Sequence, residues 1–108
     1  QSRDVVSMNN TRARRVFQRR IAFHETAFAG MVIWLLPESV RGSRHPFKYR
    51  LAYVVNGVCV LRYDNEAGKG DHRHWGADET GYQFSTPEQL LADFMANIER
   101  WNHDNRDF

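Results

Sequence analysis

Cysteine, lysine and long hydrophobic runs are all scarce in this 108-residue sequence. The single cysteine, Cys59, excludes an internal disulfide and favours the reducing cytoplasm as the location of the protein. Because its neighbours are Val58 and Val60, we expect Cys59 to fill the core. No segment approaches the roughly 18 apolar residues of a membrane span, and no apolar run follows Arg3, so we expect neither a membrane partner nor a signal peptide.

The length allows one domain with one hydrophobic core. Hydrophobic residues make up 42% of the chain and aromatic residues 13%, values that are typical of a globular protein. Residues 1–13 are polar and aperiodic, and we expect them to form a flexible N-terminal extension in which Met8 is a candidate for the original start. A single α+β domain is expected at residues 14–101 and a polar tail at residues 102–108.

Positive and negative charges are divided unevenly between the two halves of the chain. Residues 1–50 carry a net charge of +7 and residues 51–108 a net charge of −5. Thirteen of the fifteen basic residues are arginine, whose planar guanidinium group binds phosphate or carboxylate in a bidentate manner. The basic half is therefore typical of a protein that binds nucleic acid or an acidic partner, although a solvated Arg-rich surface has the same composition.

Two strands are predicted in the first half of the chain. Apolar and polar residues alternate from Phe17 to His24, which indicates a strand with one buried face. Residues 27–36 are apolar on both faces, which is the pattern of a central strand covered above and below. Pro37 ends this strand, and the stretch that follows, up to Pro46, is expected to be a surface loop.

The dipeptide Asn56-Gly57 is the strongest local signal in the sequence, because it is the preferred turn of a two-residue type I′ hairpin. It joins predicted strands at residues 48–55 and 58–65. A two-residue turn followed by an unbroken register places three residues on one face at the open end of the hairpin, namely Tyr49, Arg62 and Asp64.

A helix is predicted near the end of the chain. Ser85 and Thr86 each begin a capping-box pattern, and Pro87 suits the first turn. An apolar stripe at helical spacing follows and is expected to pack on the sheet, at Leu90, Leu91, Phe94, Met95, Ile98 and Trp101. Between the hairpin and this helix we expect an extended segment, a loop and a short strand, at residues 71–75, 76–81 and 82–84.

Together these elements predict an α+β fold, in which an antiparallel sheet of four to five strands has one long C-terminal helix packed on one face. One helix can cover only one face of a sheet. The second apolar face therefore predicts self-association to a homodimer or a tightly bound partner.

The segment from Asp64 to His74 concentrates side chains that can transfer protons. In an extended strand His72 and His74 point to the same side, and two imidazoles can cleave RNA without a metal, one removing the 2′-hydroxyl proton and the other protonating the 5′-oxygen. Asp64 or Asp71 would orient an imidazole. Cations for the charge that develops on phosphorus are available at Lys69, Arg62 and Arg73. Further contacts to RNA are predicted for Lys48, Tyr49, Arg50 and Asn65.

Metal binding is the alternative chemistry of the same segment. A His-x-His pair on a strand has ordinary ligand spacing, and a third ligand could come from Asp64, His45 or Glu79. Lys69 and Arg73 oppose a divalent ion, so the primary expectation is that no cofactor is needed. A solvated polar loop without chemistry is the remaining interpretation of these residues.

Three parts of the sequence resemble the TumE family of toxin–antitoxin proteins. They are residues 48–53, the string Arg62-Tyr63-Asp64-Asn65-(x)3-Lys69-Gly70-Asp71-His72-Arg73-His74, and the segment Leu90-Leu91-Ala92-Asp93-Phe94. The resemblance covers residues 14–101. It implies a growth-inhibiting bacterial toxin that is neutralised by a cognate antitoxin, typically of the helix-turn-helix type.

The resemblance supplies no catalytic residue. From the cluster of His, Lys and Arg residues, and by analogy with other toxins of this size, we expect a metal-independent endoribonuclease. The alternatives are a metal-dependent nuclease and a non-catalytic module whose Arg-rich half binds nucleic acid or an acidic antitoxin. In that last case changes at Arg15, Arg19 and Arg20 would matter more than changes at the two histidines.

Overall fold

A computed structural model describes residues 13–105 of the chain. The expected flexible extension lies outside these residues except for its last position, and the end of the expected tail, at residues 106–108, lies outside them as well. Within the described part, no helix has the length and apolar character needed to cross a membrane.

Six strands form one antiparallel sheet in which each strand pairs with the next along the chain. They are β1 (Arg14–His24), β2 (Ala27–Leu35), β3 (Phe47–Val55), β4 (Val58–Glu66), β5 (Gly70–Trp75) and β6 (Asp78–Gly81). A helix, α1 (Pro87–Asp104), follows the sheet. The α+β class and the antiparallel sheet are confirmed, but the predicted number of four to five strands is too low.

The additional strand is β6. Trp75 pairs with Asp78 across a two-residue turn, in which Gly76 has a φ of +62°. The predicted loop at residues 76–81 is therefore wrong, and so is the predicted strand at residues 82–84. All four residues of β6 are exposed, and none is apolar, so the strand lacks the alternation that would have identified it.

The helix α1 begins where the capping pattern predicts. The Thr86 hydroxyl accepts a hydrogen bond from the backbone N–H of Gln89, and Pro87 occupies the first turn. The predicted apolar stripe packs on one face of the sheet. The buried members of the stripe are Leu90, Phe94 and Ile98. The members at the margin of the same core are Leu91, Met95 and Trp101.

The two faces of the sheet differ in their surroundings. The face under α1, which we call the core face, carries the buried side chains Ala29, Met31, Ile33, Tyr49, Leu51, Tyr53, Leu61 and Tyr63. The opposite face, which we call the open face, includes the half-exposed β2 residues Phe28, Val32 and Trp34. Within residues 13–105, therefore, β2 is covered on one face only, and the prediction that both of its faces are covered is wrong. The homodimer or tightly bound partner stays a prediction.

The hairpin of β3 and β4 contains a β-bulge that changes the predicted register. The turn Asn56-Gly57 has positive φ angles of 51° and 78°, as a type I′ turn requires, and Val55 pairs with Val58 as predicted. Beyond the second pair, however, the register shifts by one residue. Such a shift exchanges the two faces of the strand.

The shift decides which side chains of β4 are buried under α1. It places Leu61 and Tyr63 on the core face, and Arg62 and Asp64 on the open face. The unbroken register would have turned two charged side chains toward the helix and two large apolar ones away from it. The prediction that Tyr49 shares a face with Arg62 and Asp64 is therefore wrong.

Cys59 lies beside the hairpin turn and is exposed, with its thiol 3.3 Å from the carbonyl oxygen of Leu61. The tip of the hairpin, where Val58 is also exposed, lies outside the core. The expectation that Cys59 fills the core is therefore wrong.

Two glycines allow the loop between β2 and β3 to pack against the start of β5. A Cβ atom on Gly42 would lie 2.9 Å from the nitrogen of Gly70, and one on Gly70 would lie 2.8 Å from the carbonyl oxygen of Gly42. Both residues have positive φ angles, of +96° and +78°. The close approach and the backbone conformation both require glycine at these positions.

We predict that Gly70→Ala lowers the free energy of unfolding by at least about 1–2 kcal/mol, because an L-residue in the left-handed region costs about that much before any clash is counted. Urea denaturation measures the loss. The matched control is Gly30→Ala, which should be neutral or stabilising, because a Cβ there meets nothing within 4 Å and its φ is ordinary. Equal losses in the two variants would contradict the prediction.

Candidate active site

Polar side chains from two neighbouring strands meet on the open face. Asp64 of β4 pairs with His72 of β5, and Arg62 pairs with His74. Because His72 and His74 are two residues apart on one strand, their rings lie on the same face, with centroids 5.2 Å apart. The sheet register therefore brings two imidazoles, a carboxylate and a guanidinium group together.

Asp64 and His72 form a buried ion pair. Nε2 of His72 lies 2.8 Å from Oδ1 of Asp64, and the side chains of His72 and Asp64 are only 5% and 7% exposed. Nδ1 of His72 lies 3.0 Å from the carbonyl oxygen of Gly70. Both ring nitrogens thus face oxygen atoms, and the ring can donate to both sides only in its protonated form.

Arg62 links Asp64 to His74. Its Nε lies 3.1 Å from Oδ2 of Asp64, and its Nη2 lies 2.9 Å from Nε2 of His74. A guanidinium group can only donate, so Nε2 of His74 accepts this hydrogen bond and the ring carries its proton on Nδ1. Burial, and then the charge of Arg62, lower the pKa of His74 below its usual value of 6.5. His74 is therefore neutral at pH 7.

Glu79 of β6 places one carboxylate oxygen among three nitrogen atoms. Its Oε2 lies 3.3 Å from Nζ of Lys69, 3.3 Å from Nε2 of His72 and 3.7 Å from Nε2 of His74. The hydrogen bond with Lys69 lowers the pKa of Glu79, so the carboxyl group is ionised. Both Lys69 and Glu79 are well exposed, so this oxygen lies at the solvent opening of the cluster. We call the whole group the histidine cluster: Arg62, Asp64, Lys69, His72, His74 and Glu79.

Three buried atoms of the histidine cluster make no hydrogen bond of good geometry. They are Nε of Arg62, Oδ1 of Asp64 and Nε2 of His72. Their mutual contacts have the distances of ion pairs without the directions of hydrogen bonds. Buried polar atoms of this kind are uncommon in folded proteins and require an explanation such as a bound ligand.

The histidine cluster also has the geometry of a candidate metal site. One potential ligand atom from each of Asp64, His72 and His74 lies within 4.8 Å of the others. Two imidazoles and one carboxylate suit zinc or iron. The ligand atom of His74, however, already accepts a hydrogen bond from Arg62.

Asp71 lies on the core face, away from the two histidines of β5. Its Oδ1 accepts a hydrogen bond from the Tyr49 hydroxyl at 2.8 Å and lies 2.9 Å from Nε2 of His45. The His45 ring stacks on Phe84 with 3.7 Å between centroids. Burial and the neighbouring Asp71 raise the pKa of Tyr49, so its hydroxyl stays protonated. This group joins the β2–β3 loop to β5 and contributes nothing to the open face.

Asn65 and Arg73 also lie on the core face. The Asn65 amide is fully buried; it accepts from the backbone N–H of Tyr49 at 3.0 Å and donates to the carbonyl oxygen of Phe47 at 2.7 Å. Arg73 donates to the Thr80 hydroxyl at 3.4 Å. The structure therefore places Asn65 and Arg73 where they cannot contact a ligand on the open face.

Arg50 and Lys48 lie on the open face beside the histidine cluster. Arg50 is exposed and pairs with Asp64, while Nζ of Lys48 donates to the carbonyl oxygen of Asn65 at 2.5 Å. The predicted site residues thus divide into two groups. On the open side are Lys48, Arg50, Arg62, Asp64, Lys69, His72 and His74, and on the core side are Tyr49, Asn65, Asp71 and Arg73.

Sequence reasoning offered Glu79 only as one of three alternative third metal ligands. Its position depends on β6, which pairs His74 with Glu79. The signal that could have found it is the turn beginning at Gly76, because a two-residue hairpin there fixes this pairing.

A family model described as Toxin TumE matches residues 2–102 of the chain. The match begins well before residue 14, where the resemblance was expected to start. Neither the curated proteins nor the solved structures contain a match.

We predict that His74 titrates below pH 6.5 in the folded protein and that Arg62→Met raises its pKa, because the substitution removes a neighbouring positive charge. An NMR titration of the imidazole signals measures both values. The exposed His103 serves as the internal control, and its titration curve should be the same in the two proteins. An unchanged pKa of His74 in the variant would show that the charge of Arg62 does not lower it.

Proposed function

The chain belongs to the TumE family of toxins, and we propose that it arrests bacterial growth by cleaving RNA at the histidine cluster. A toxin of this family has a cognate antitoxin as its partner. We further infer that the antitoxin is of the helix-turn-helix type, that cleavage needs no metal, and that the protein acts in the cytoplasm.

The position of Glu79 carries this proposal. A single oxygen of its carboxylate faces the side-chain nitrogens of Lys69, His72 and His74. Lys69 and His72 can donate to one negatively charged oxygen, and a phosphate oxygen of RNA meets the same requirement. Glu79 thus occupies the position proposed for the scissile phosphate, and RNA must displace it in order to bind.

Two imidazoles in different surroundings supply a base and an acid. His74 is neutral, and its Nε2 removes the proton of a 2′-hydroxyl group once Arg62 turns from this nitrogen to the phosphate. The 2′-oxygen then forms a bond to phosphorus, and the bond from phosphorus to the 5′-oxygen breaks. His72, in its protonated form, gives the proton on Nε2 to that leaving oxygen. The products are a 2′,3′-cyclic phosphate and a 5′-hydroxyl end, with His74 left protonated and His72 neutral.

The remaining members of the histidine cluster stabilise charge or orient the bases. Lys69 and Arg62 stabilise the negative charge that accumulates on the phosphoryl oxygens. Asp64 positions His72 through the 2.8 Å contact and offsets the charge of its imidazolium form. The carbonyl oxygen of Gly70 fixes the ring orientation from the other side.

A metal-dependent nuclease is the second candidate, because Asp64, His72 and His74 place their ligand atoms within 4.8 Å of one another. The charges favour the metal-free candidate. Arg62 and Lys69 already balance Asp64 and Glu79, so a divalent ion between neutral imidazoles would leave a net charge of +2 at the site.

We predict that the purified protein cleaves single-stranded RNA in the presence of EDTA, and that His72→Ala and His74→Ala each lower the rate by about 10²–10⁴-fold, the usual contribution of one proton-transfer group. The matched control is His103→Ala, an exposed position on α1, which should cleave at the wild-type rate. Thermal unfolding establishes that each variant is folded.

The same assay separates the alternatives. Loss of cleavage in EDTA with recovery on adding zinc or manganese would reject the metal-free candidate in favour of the metal-dependent one. Growth arrest by the His72→Ala/His74→Ala double variant, at wild-type strength and without RNA decay, would reject catalysis at this cluster.

We also predict that Glu79→Ala lowers KM for RNA several-fold without lowering kcat, because the substitution removes the carboxylate that competes with the substrate phosphate. Steady-state kinetics on a fluorogenic oligoribonucleotide measures both constants. Glu99→Ala, an exposed acidic position on α1, controls for the change in net charge. A fall in kcat in Glu79→Ala would contradict the prediction and support Glu79 as a metal ligand.

A further inference from the structure

Two adjoining clefts extend from the histidine cluster across the open face. The first, cleft A, has a volume of about 200 Å³, and its walls include Trp34, Lys48, Arg50 and Asp64. The second, cleft B, has a volume of about 350 Å³ and lies farther from the cluster, between β1 and β3. Arg50 and Val32 line both clefts, so the two clefts are neighbours on the open face.

Cleft B is formed by small residues surrounded by arginines. Its floor includes Gly30 and Ala52, which pair across β2 and β3, and a Cβ at Gly30 would meet nothing within 4 Å. Arg20 and Arg50 line the cleft with side chains on the open face, and no acidic residue of the described chain lines it. The Arg20 guanidinium group lies 3.8 Å from the centre of the Phe28 ring, a cation–π contact that holds it over the open face.

Cleft A joins an aromatic side chain to the histidine cluster. Trp34 is half-exposed in its wall, and an indole ring offers a flat surface on which an unpaired base can stack. Asp64, which contacts His72, forms another part of the same wall. An RNA strand that extends from the histidine cluster would therefore reach Trp34 in cleft A first and the arginines of cleft B second.

We propose that cleft A and cleft B bind successive nucleotides of an unpaired RNA strand on one side of the scissile phosphate. Three spacings between neighbouring β-strands, about 14 Å in total, separate β5 from β2. The contacts between the protein and the RNA would therefore extend beyond the nucleotide that is cut. The positive charge of cleft B matches a phosphate backbone, and stacking on Trp34 requires a base that is not paired. The inference depends on the proposed function only for the position of the scissile phosphate.

Binding can be measured separately from cleavage. The probe is a fluorescein-labelled pool of mixed-sequence 2′-O-methyl octaribonucleotides, which lack the nucleophilic hydroxyl group, and fluorescence anisotropy reports the affinity. We expect Arg50→Ala to weaken binding about tenfold and to reduce the salt slope of log Kd by about 1. Gly30→Leu, which fills cleft B, should weaken binding with no change in salt slope. Arg100→Ala on α1 is the matched control and should bind like the wild type.

The outcomes distinguish this inference from the proposed function. If the variants lose affinity for the single strand while the wild-type protein fails to cleave RNA, binding of RNA in clefts A and B is supported and the ribonuclease proposal is rejected. If both variants bind and cleave like the wild type while His74→Ala is inactive, the ribonuclease proposal is supported and binding of RNA in clefts A and B is rejected. Binding of unpaired RNA in clefts A and B is also rejected if a duplex binds as tightly as the single strand. It is rejected as well if the variants weaken binding of the purified antitoxin instead of the oligonucleotide.

Discussion

The one-residue bulge in the hairpin of β3 and β4 determines the character of both faces of the sheet. On the turn side of the bulge the register follows from Asn56-Gly57, and on the other side each residue of β4 has exchanged faces. Tyr63 is thereby buried against Phe94 of α1, with ring centroids 5.7 Å apart. Asp64 points the opposite way, toward His72. Without the bulge, Asp64 would face the helix, and His72, which pairs with it across β4 and β5, would face the helix too.

Charge balance explains how so many ionisable groups can share a small space. Asp64 is almost completely buried, yet Arg62 and the imidazole of His72 both lie within 3.1 Å of its carboxylate. Arg62 in turn lies against a neutral His74, whose low pKa avoids a second buried positive charge. The solvent-exposed pair of Lys69 and Glu79 completes the arrangement at the surface. Two imidazoles on one strand therefore have different neighbours, Asp64 beside His72 and Arg62 beside His74.

Local patterns predicted the elements that depend on local chemistry. The Thr86 cap, the apolar stripe of α1 and the Asn56-Gly57 turn were all identified correctly, and strand alternation placed His72 and His74 on one face. The bulge was not predictable, because the run from Val58 to Leu61 is apolar throughout and no polar residue fixes its register. The roles of Asp64 and Asp71 could not be separated from the sequence, because the first depends on the pairing of β4 with β5 and the second on the position of His45 in the β2–β3 loop.

The core face is packed under the helix and much of the open face is not, and this difference affects how the sequence of such a protein can diversify. Folding energy comes mainly from the core face, where α1 covers the aromatic and aliphatic side chains of β2, β3 and β4. Much of the open face beyond the histidine cluster, from Gly30 to the exposed Arg20 and Arg50, takes no part in that packing. Side chains there can change size or charge with little penalty to folding. Changes on this face can accordingly accumulate from one lineage to another on an unchanged scaffold.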